Sequence, residues 1–250
     1  MKLEWRFDEE DIAGVKELVE RMSDDFLVQY RIARNITRQK AVELTPEAIW
    51  HAMCACRLTS QQRSGPDAPV IVFLLRKPFP LALHRLRNEP QAEEAIRSTL
   101  VQAGGIRFSN QIAKDLNRIF QELEGGGWGL LVELLRGLRE GSGKEQERSV
   151  AAWIQRYPGF GMKQSRNLLQ VLGLTRYEIP LDSRIARWLR ENGFAFPLDA
   201  GLLGTPSYYL LVMDCLQDLC EKAGVYPCAF DAAVFASFDG GRWNETNSIW

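Results

Sequence analysis

Three features of the sequence predict a mainly α-helical protein. Apolar residues recur at helical spacing along most of its 250 residues, the breaks between these stretches are short and polar, and helix start signals stand at several of the breaks. With 46% hydrophobic and 25% charged residues, the composition is globular, and the length allows a sizeable core, as one large domain or two small lobes.

Helices are expected over about 8–22, 46–58, 91–103, 109–124, 127–138, 145–157, 163–172, 182–192 and 206–223. Thr45 precedes Pro46, a residue suited to the first helical position, and Ser142 stands three residues before Glu145 at capping-box spacing. The glycine-rich stretches ELEGGGWG and LREGSGKE break the helical pattern. One segment, APVIVFLLRKPFPLALHRL (68–86), begins with β-branched residues and contains Pro78 and Pro80, so a short strand or extended insertion is expected there. The last stretch, from Pro227 to Trp250, is dense in aromatic residues and reads as a tail packed back onto the core.

A net charge of −1 and a pI near 6.2 give no global sign of a polyanionic partner. Charge is nevertheless local. Between Arg156 and Arg190, seven basic residues stand against Glu178 and Asp182, a net of +5, while an acidic cluster over 8–20 offsets it elsewhere. Such a run is either a solvated helix face or the footprint of a polyanion. Five cysteines argue for reduced thiols rather than a disulfide scaffold. The charged start lacks a secretory apolar region and no later run approaches the ~18 apolar residues of a membrane span, so a soluble cytoplasmic protein is expected.

The chemistry concentrates in RYPGFGMKQSRNLLQVLGLTRYEIPLDSRIARWL, residues 156–189. Gly159 and Gly161 flank Phe160 between two helical patterns. Trp153, Ile154 and Tyr157 form the apolar face of the incoming helix, Pro158 stops it, and Leu168, Leu169, Val171 and Leu172 follow on the outgoing one. This hairpin leaves the amides of Gly161, Met162 and Lys163 at a helix N-terminus, an anion site in waiting. Lys163 occupies the first helical turn, where the macrodipole disfavours a cation by about 0.3–1 kcal/mol. A nucleophilic amine must be partly neutral, and the dipole supplies only a small part of that, so burial or a second cation has to supply the rest. Asp182 begins the next helix, where an N-cap is its simplest role. An N-cap is also a carboxylate held at a fixed place, and one helix and one connection after Lys163 the two can lie side by side.

Tyr157-Pro158-Gly159-Phe160-Gly161-Met162-Lys163, with IPLD ending at Asp182, resembles the hairpin of the helix-hairpin-helix DNA glycosylase superfamily, and the lysine resembles its bifunctional members. MCACRLTSQQRS (53–64) resembles the helix and loop that supply a wedge into the vacated base stack. GGIRFSNQIAKDL (104–116) is similar to a segment of 8-oxoguanine DNA glycosylase/AP lyases of the compact bacterial and archaeal type. The resemblance covers about a third of the chain in separate blocks.

It implies two helical lobes forming one unit over 1–250, with the active site in the cleft between them. The central lobe would span 60–190 and end in the hairpin at 145–172, with 1–59 and 191–250 as the second lobe. It also implies catalysis by Lys163 and Asp182, DNA contact by Gly159, Phe160, Gly161 and Met162, and wedge candidates Gln61 and Gln62 with Arg63 nearby on the DNA, unless these simply form a polar loop. The base pocket would draw on the aromatic pool Phe230, Phe235, Phe238, Trp243 and Trp250, of which Phe230, Trp243 and Trp250 are the leading candidates. The partner would be double-stranded DNA carrying a damaged base, bound by a monomer, with no membrane involved.

No protein-ligated metal or other cofactor is expected, beyond a monovalent cation on the hairpin carbonyls. Cys215, Cys220 and Cys228 do not match the C-x6-C-x2-C-x5-C spacing of the superfamily's iron-sulfur cluster, and two histidines leave a zinc site unsupported. The insertion over 65–90 and the long C-terminal segment depart from the compact type. Removal of 8-oxoguanine followed by β-elimination is the function implied. A glycosylase for another damaged base, or a non-catalytic helix-hairpin-helix module, remains the alternative.

Overall fold

The computed structural model describes residues 4–62, 65–141, 143–194 and 197–249. It is 63% helix, and no strand occurs among the described residues. The helices are α1 (Glu9–Arg21), α2 (Phe26–Arg31), α3 (Pro46–Leu58), α4 (Pro69–Leu74), α5 (Leu83–Leu86), α6 (Ala92–Ala103), α7 (Ser109–Glu122), α8 (Trp128–Glu140), α9 (Lys144–Ile154), α10 (Met162–Val171), α11 (Ser183–Glu191), α12 (Pro206–Lys222) and α13 (Pro227–Asp239). π-helical turns extend α2 through Ile32–Ile36 and link α7 to α8 through Leu123–Gly127. Among the described residues, no helix is long and apolar enough to cross a membrane.

Local chemistry accounts for several helix ends. Thr45 accepts a hydrogen bond from the Ala48 N–H at 3.2 Å, with Pro46 at the first helical position. Asp8 and Asp11 cap α1 reciprocally. At α9 the N-cap is Gly143, and Ser142 lies outside the described residues. The short strand or extended insertion expected over 68–86 is instead the helix pair α4 and α5, joined through a cis Lys77–Pro78 bond. Pro69 starts α4, and Val70, Ile71, Phe73 and Leu74 are buried at helical spacing, so tertiary burial overrides the β-branched preference. The Trp50 indole N–H, donating to the Leu81 carbonyl at 2.7 Å, ties this segment to α3.

Two apolar cores lie side by side. The first is built mainly from α3 to α10; the second from α1, α11, α12 and α13. Divisions at 59/60 and 190/191 do not follow these cores. Helix α3, with Trp50, Met53 and Leu58 buried, belongs to the first, whereas Ile179, Leu181, Ile185 and Leu189 join the second. The chain therefore crosses between the cores within the connection from α10 to α11.

That connection is held by buried polar groups. The carboxylate of Glu147 on α9 is fully buried and accepts the N–H groups of Arg176, Tyr177 and Glu178 at 2.9, 2.8 and 3.0 Å, together with the Thr175 hydroxyl. Glu178, also fully buried, takes the Arg166 and Arg148 guanidinium Nε–H groups at 2.7 and 2.9 Å and the Gln217 amide at 3.1 Å. The Tyr209 hydroxyl accepts the Leu181 N–H and donates to the Ile179 carbonyl. Glu147→Ala strands several main-chain donors at once, and each buried unsatisfied donor costs about 1–3 kcal/mol. Urea unfolding is expected to show a loss of about 3 kcal/mol or more. A change below ~1 kcal/mol would mean that this carboxylate does not hold the connection.

Candidate active site

The hairpin joins α9 to α10. Tyr157 and Phe160 are buried in the first core, so what the hairpin turns outward is main chain, and Phe160 serves it as an anchor. Gly159 has φ +80°, and a Cβ there would stand 2.4 Å from Arg57 Nε and 3.1 Å from Asp115 Oδ2. Glycine is thus required at 159 by both backbone and packing. Gly161, the N-cap of α10, differs: its φ of −77° suits any residue, and a Cβ would meet nothing within 4 Å. No side chain caps the first turn of α10, leaving its amides for an external acceptor. Met162 is partly buried against the second core.

Between the two cores runs a cleft of about 930 Å³. Lys163, in the first turn of α10, and Asp182, the N-cap of α11, both line it. Asp182 is held from two sides. Its Oδ1 accepts the N–H groups of Arg184 and Ile185 at 2.8 and 3.0 Å, and its Oδ2 faces the Arg184 guanidinium at 3.3 Å. Arg184 also reaches Asp239 at 3.2 Å and lies over the Phe235 ring at 4.0 Å. The capping role and a fixed carboxylate in the cleft coexist in one residue. Lys163 is exposed at the cleft.

Much of the local +5 charge is spent on structure. Arg166 is buried against Glu178, Arg176 donates to the Asn35 and Ile36 carbonyls, Arg156 pairs with Glu122 and Arg187 with Glu191. Lys163 and Arg190 remain as cleft-lining cations with no ion pair among the described residues.

The aromatic candidates separate. Phe230 is fully buried, edge-on to Trp188 at 4.9 Å in the second core, and does not line the cleft. Trp243 lines it, with its indole N–H donated to Asp239 Oδ2 at 2.8 Å, and Phe235 lies beside it at 6.2 Å. Trp250 lies outside the described residues, as does Arg63. Gln61 and Gln62 both line the cleft rim. Gln62 is committed, its amide exchanging two hydrogen bonds with the main chain of Arg107 at 2.9 and 3.1 Å. Gln61 is exposed on left-handed backbone with φ 57°.

Sequence reasoning missed three features. Next to Arg107, whose guanidinium donates to the Gln61 carbonyl at 3.4 Å, Phe108 is 49% exposed and also left-handed, at φ 62°. Asp231, on the apolar helix α13, lines the cleft, accepts the Gln170 amide on Oδ2 at 2.8 Å and stands 3.8 Å from Arg31 Nη1. Burial, reinforced by the charge of Asp182, pushes its carboxyl up to about 6 against the opposing pull of Arg31. Arg31 Nη1 is itself buried with no hydrogen-bond partner. A lone carboxylate inside PCAFDAAVFASF was the signal available for Asp231; Arg31 offered none.

The cysteines are buried, and no group of three or more His, Cys, Asp or Glu side chains that could hold a metal ion occurs among the described residues.

The all-helical fold of the described residues matches that of two solved 8-oxoguanine DNA glycosylases. The 8-oxoguanine DNA glycosylase of Methanocaldococcus jannaschii aligns over 92% of this chain and 94% of its own, with a TM-score of 0.64 and 19% identity. That of Thermotoga maritima aligns over 93% and 97%, with a TM-score of 0.66 and 18% identity. No protein-family model and no curated protein sequence matches the chain.

Proposed function

We propose that this protein is a DNA glycosylase that removes 8-oxoguanine and then nicks the strand through a Schiff base on Lys163. The observation that carries the reading is the meeting of Lys163 and Asp182, each at the start of its helix, in one cleft of a chain with this fold.

The amides of the first turn of α10 hold a DNA phosphate, and the target nucleotide is extruded into the cleft. The vacated stack is filled from the rim by Gln61, while Gln62 clasps the Arg107 loop that carries the exposed Phe108. The lone pair of the neutral Lys163 amine then forms a bond to C1′ as the C1′–N9 bond breaks. The electron pair of that bond leaves with the base, and the amine gives up a proton. Asp182 faces the positive charge that develops on the sugar. Opening of the sugar gives the protonated Schiff base, loss of a C2′ proton follows, and the C3′–O bond breaks to release the 3′-phosphate. The carbonyls of Pro158, Gly159 and Phe160 accept no hydrogen bond among the described residues, which leaves them free to hold a monovalent cation beneath the phosphate.

For the extruded base, Phe235 and Trp243 offer ring faces. Asp231 Oδ1, which accepts no hydrogen bond among the described residues, and Arg31 Nη1 offer an acceptor and a donor. A guanine-type edge supplies the complement, N–H donors beside the O6 acceptor. Ionised Asp231 is the better acceptor, and with its carboxyl near 6 it gains a proton as pH falls through that value. Affinity for the lesion is therefore expected to weaken as pH falls from 7 to 5, and Asp231→Asn to flatten that limb of the single-turnover profile. An unchanged limb in the variant would exclude Asp231 from base recognition.

The test of the reading is the release of free base from duplexes carrying 8-oxoguanine opposite each of the four bases, alongside duplexes with oxidised pyrimidines. Release from the 8-oxoguanine duplexes supports it. Release from oxidised pyrimidines alone would reassign the base, and binding without release from any duplex would leave a non-catalytic module.

A further inference from the structure

Helix α7 runs from the rim to the hairpin and beyond. At its start Arg107 is clasped to Gln61 and Gln62; at its middle Asp115 pairs with Arg57 directly under Gly159; and its last turns border a second groove. This groove, about 490 Å³, lies between Asn117, Arg118, Gln121 and Glu122 of α7 and the Arg156–Pro158 approach to the hairpin. Along the outer face of α7, Lys114 and Arg118 stand about 6 Å apart in helical rise. Both are exposed, and neither has an ion pair or hydrogen bond among the described residues. Among the described residues lining the groove the one acidic side chain, Glu122, is paired with Arg156 at 3.0 Å, and the nearby Glu93 accepts the Asn117 amide at 3.4 Å. A helix of an otherwise near-neutral protein thus presents unneutralised cations, with side-chain amides alongside, on a line joining the two elements proposed to grip DNA.

We infer that the outer face of α7, through Lys114 and Arg118 and continuing into the Arg156 groove, binds the phosphate backbone of duplex DNA beyond the lesion. This rests on the glycosylase reading and extends it from the cleft to a second, sequence-independent contact. The occupant is a run of phosphodiesters. Two cations one turn apart with no base-reading geometry suit a charged backbone, and the face is continuous with the hairpin.

The experiment is the salt dependence of binding, measured by fluorescence anisotropy on a 30-base-pair duplex, plain or carrying a stable abasic-site analogue. Every phosphate that is no longer neutralised should reduce the slope of log K against log salt by about 0.9, so K114A/R118A is expected to lower it by ~1.8 and to weaken plain and lesion duplexes by the same factor. K114E/R118E should weaken both further. If the wild type binds and both variants keep its slope and affinity, the inference falls and the glycosylase reading stands. If the variants weaken only the lesion duplex, α7 is part of lesion recognition and the inference also falls. If the wild type binds neither duplex, both readings fall together.

Discussion

Lys163→Gln is expected to lower base release and strand nicking by about 1,000-fold or more, because it removes the only atom proposed to bond C1′, and groups that act as the nucleophile carry losses of that order. The side chain is exposed, so unfolding free energy should stay within ~0.5 kcal/mol of the wild type. Affinity for an abasic analogue should also survive, since the hairpin amides and the rim are untouched. The assay is single-turnover cleavage of an 8-oxoguanine duplex and of an abasic duplex, with a denaturation curve on the same preparation. Retained nicking of both would show that Lys163 is not the nucleophile.

The second large effect separates two glycines that look equivalent in the sequence. Gly159→Ala places a side chain on left-handed backbone, at about 1–2 kcal/mol, and drives its Cβ into the Arg57–Asp115 ion pair. That pair is largely buried, with Arg57 Nη2 2.6 Å from Asp115 Oδ2, and breaking such a pair costs about 3–5 kcal/mol. A loss of about 3 kcal/mol or more is expected, lowering Tm by roughly 6–12 °C for a chain of this size. Gly161→Ala meets neither obstacle, and stability should hold or rise slightly through the unfolded state. Its Cβ would instead stand beside the amides offered to phosphate, so DNA affinity is expected to fall about tenfold, near 1.4 kcal/mol. Glycine at 161 has no structural reason here, and the approach of a ligand supplies one. Equal melting temperatures for the two variants would contradict this division of labour.

Most helices were legible because they are amphipathic. Nine expected segments correspond to α1, α3 and α6 to α12, with ends shifted by a few residues. Helix α13 was not legible, and for the opposite reason: ten of its thirteen residues are buried, so no polar face marks a period, and PCAFDAAVFASFD reads as an aromatic tail. Short helices α4 and α5 are set by tertiary burial, which local sequence does not carry. At the site, the hairpin and the lysine–aspartate spacing were legible because they depend on glycine conformation and a helix start, both local. The floor of the cleft was not. Arg31, Gln170 and Asp231 come together from positions far apart in sequence, and the burial that raises the Asp231 carboxyl, with the nearby charge of Asp182 adding to it, exists only in the folded chain. The positive run from Arg156 to Arg190 was legible as a count but misleading as a surface, since buried Glu178 and the carbonyls of the Ile32–Ile36 turn take up part of it.

In the proposed reaction, a lysine at the start of α10 attacks the sugar of an extruded 8-oxoguanine nucleotide. Borohydride reduction during reaction with an intact 8-oxoguanine duplex, followed by mass mapping of the protein–DNA adduct, tests it most directly. A reduced adduct on the peptide containing Lys163, formed with the 8-oxoguanine duplex and absent with an undamaged one, is the predicted result. An adduct on a different residue, or none with the 8-oxoguanine duplex while base release proceeds, would contradict it.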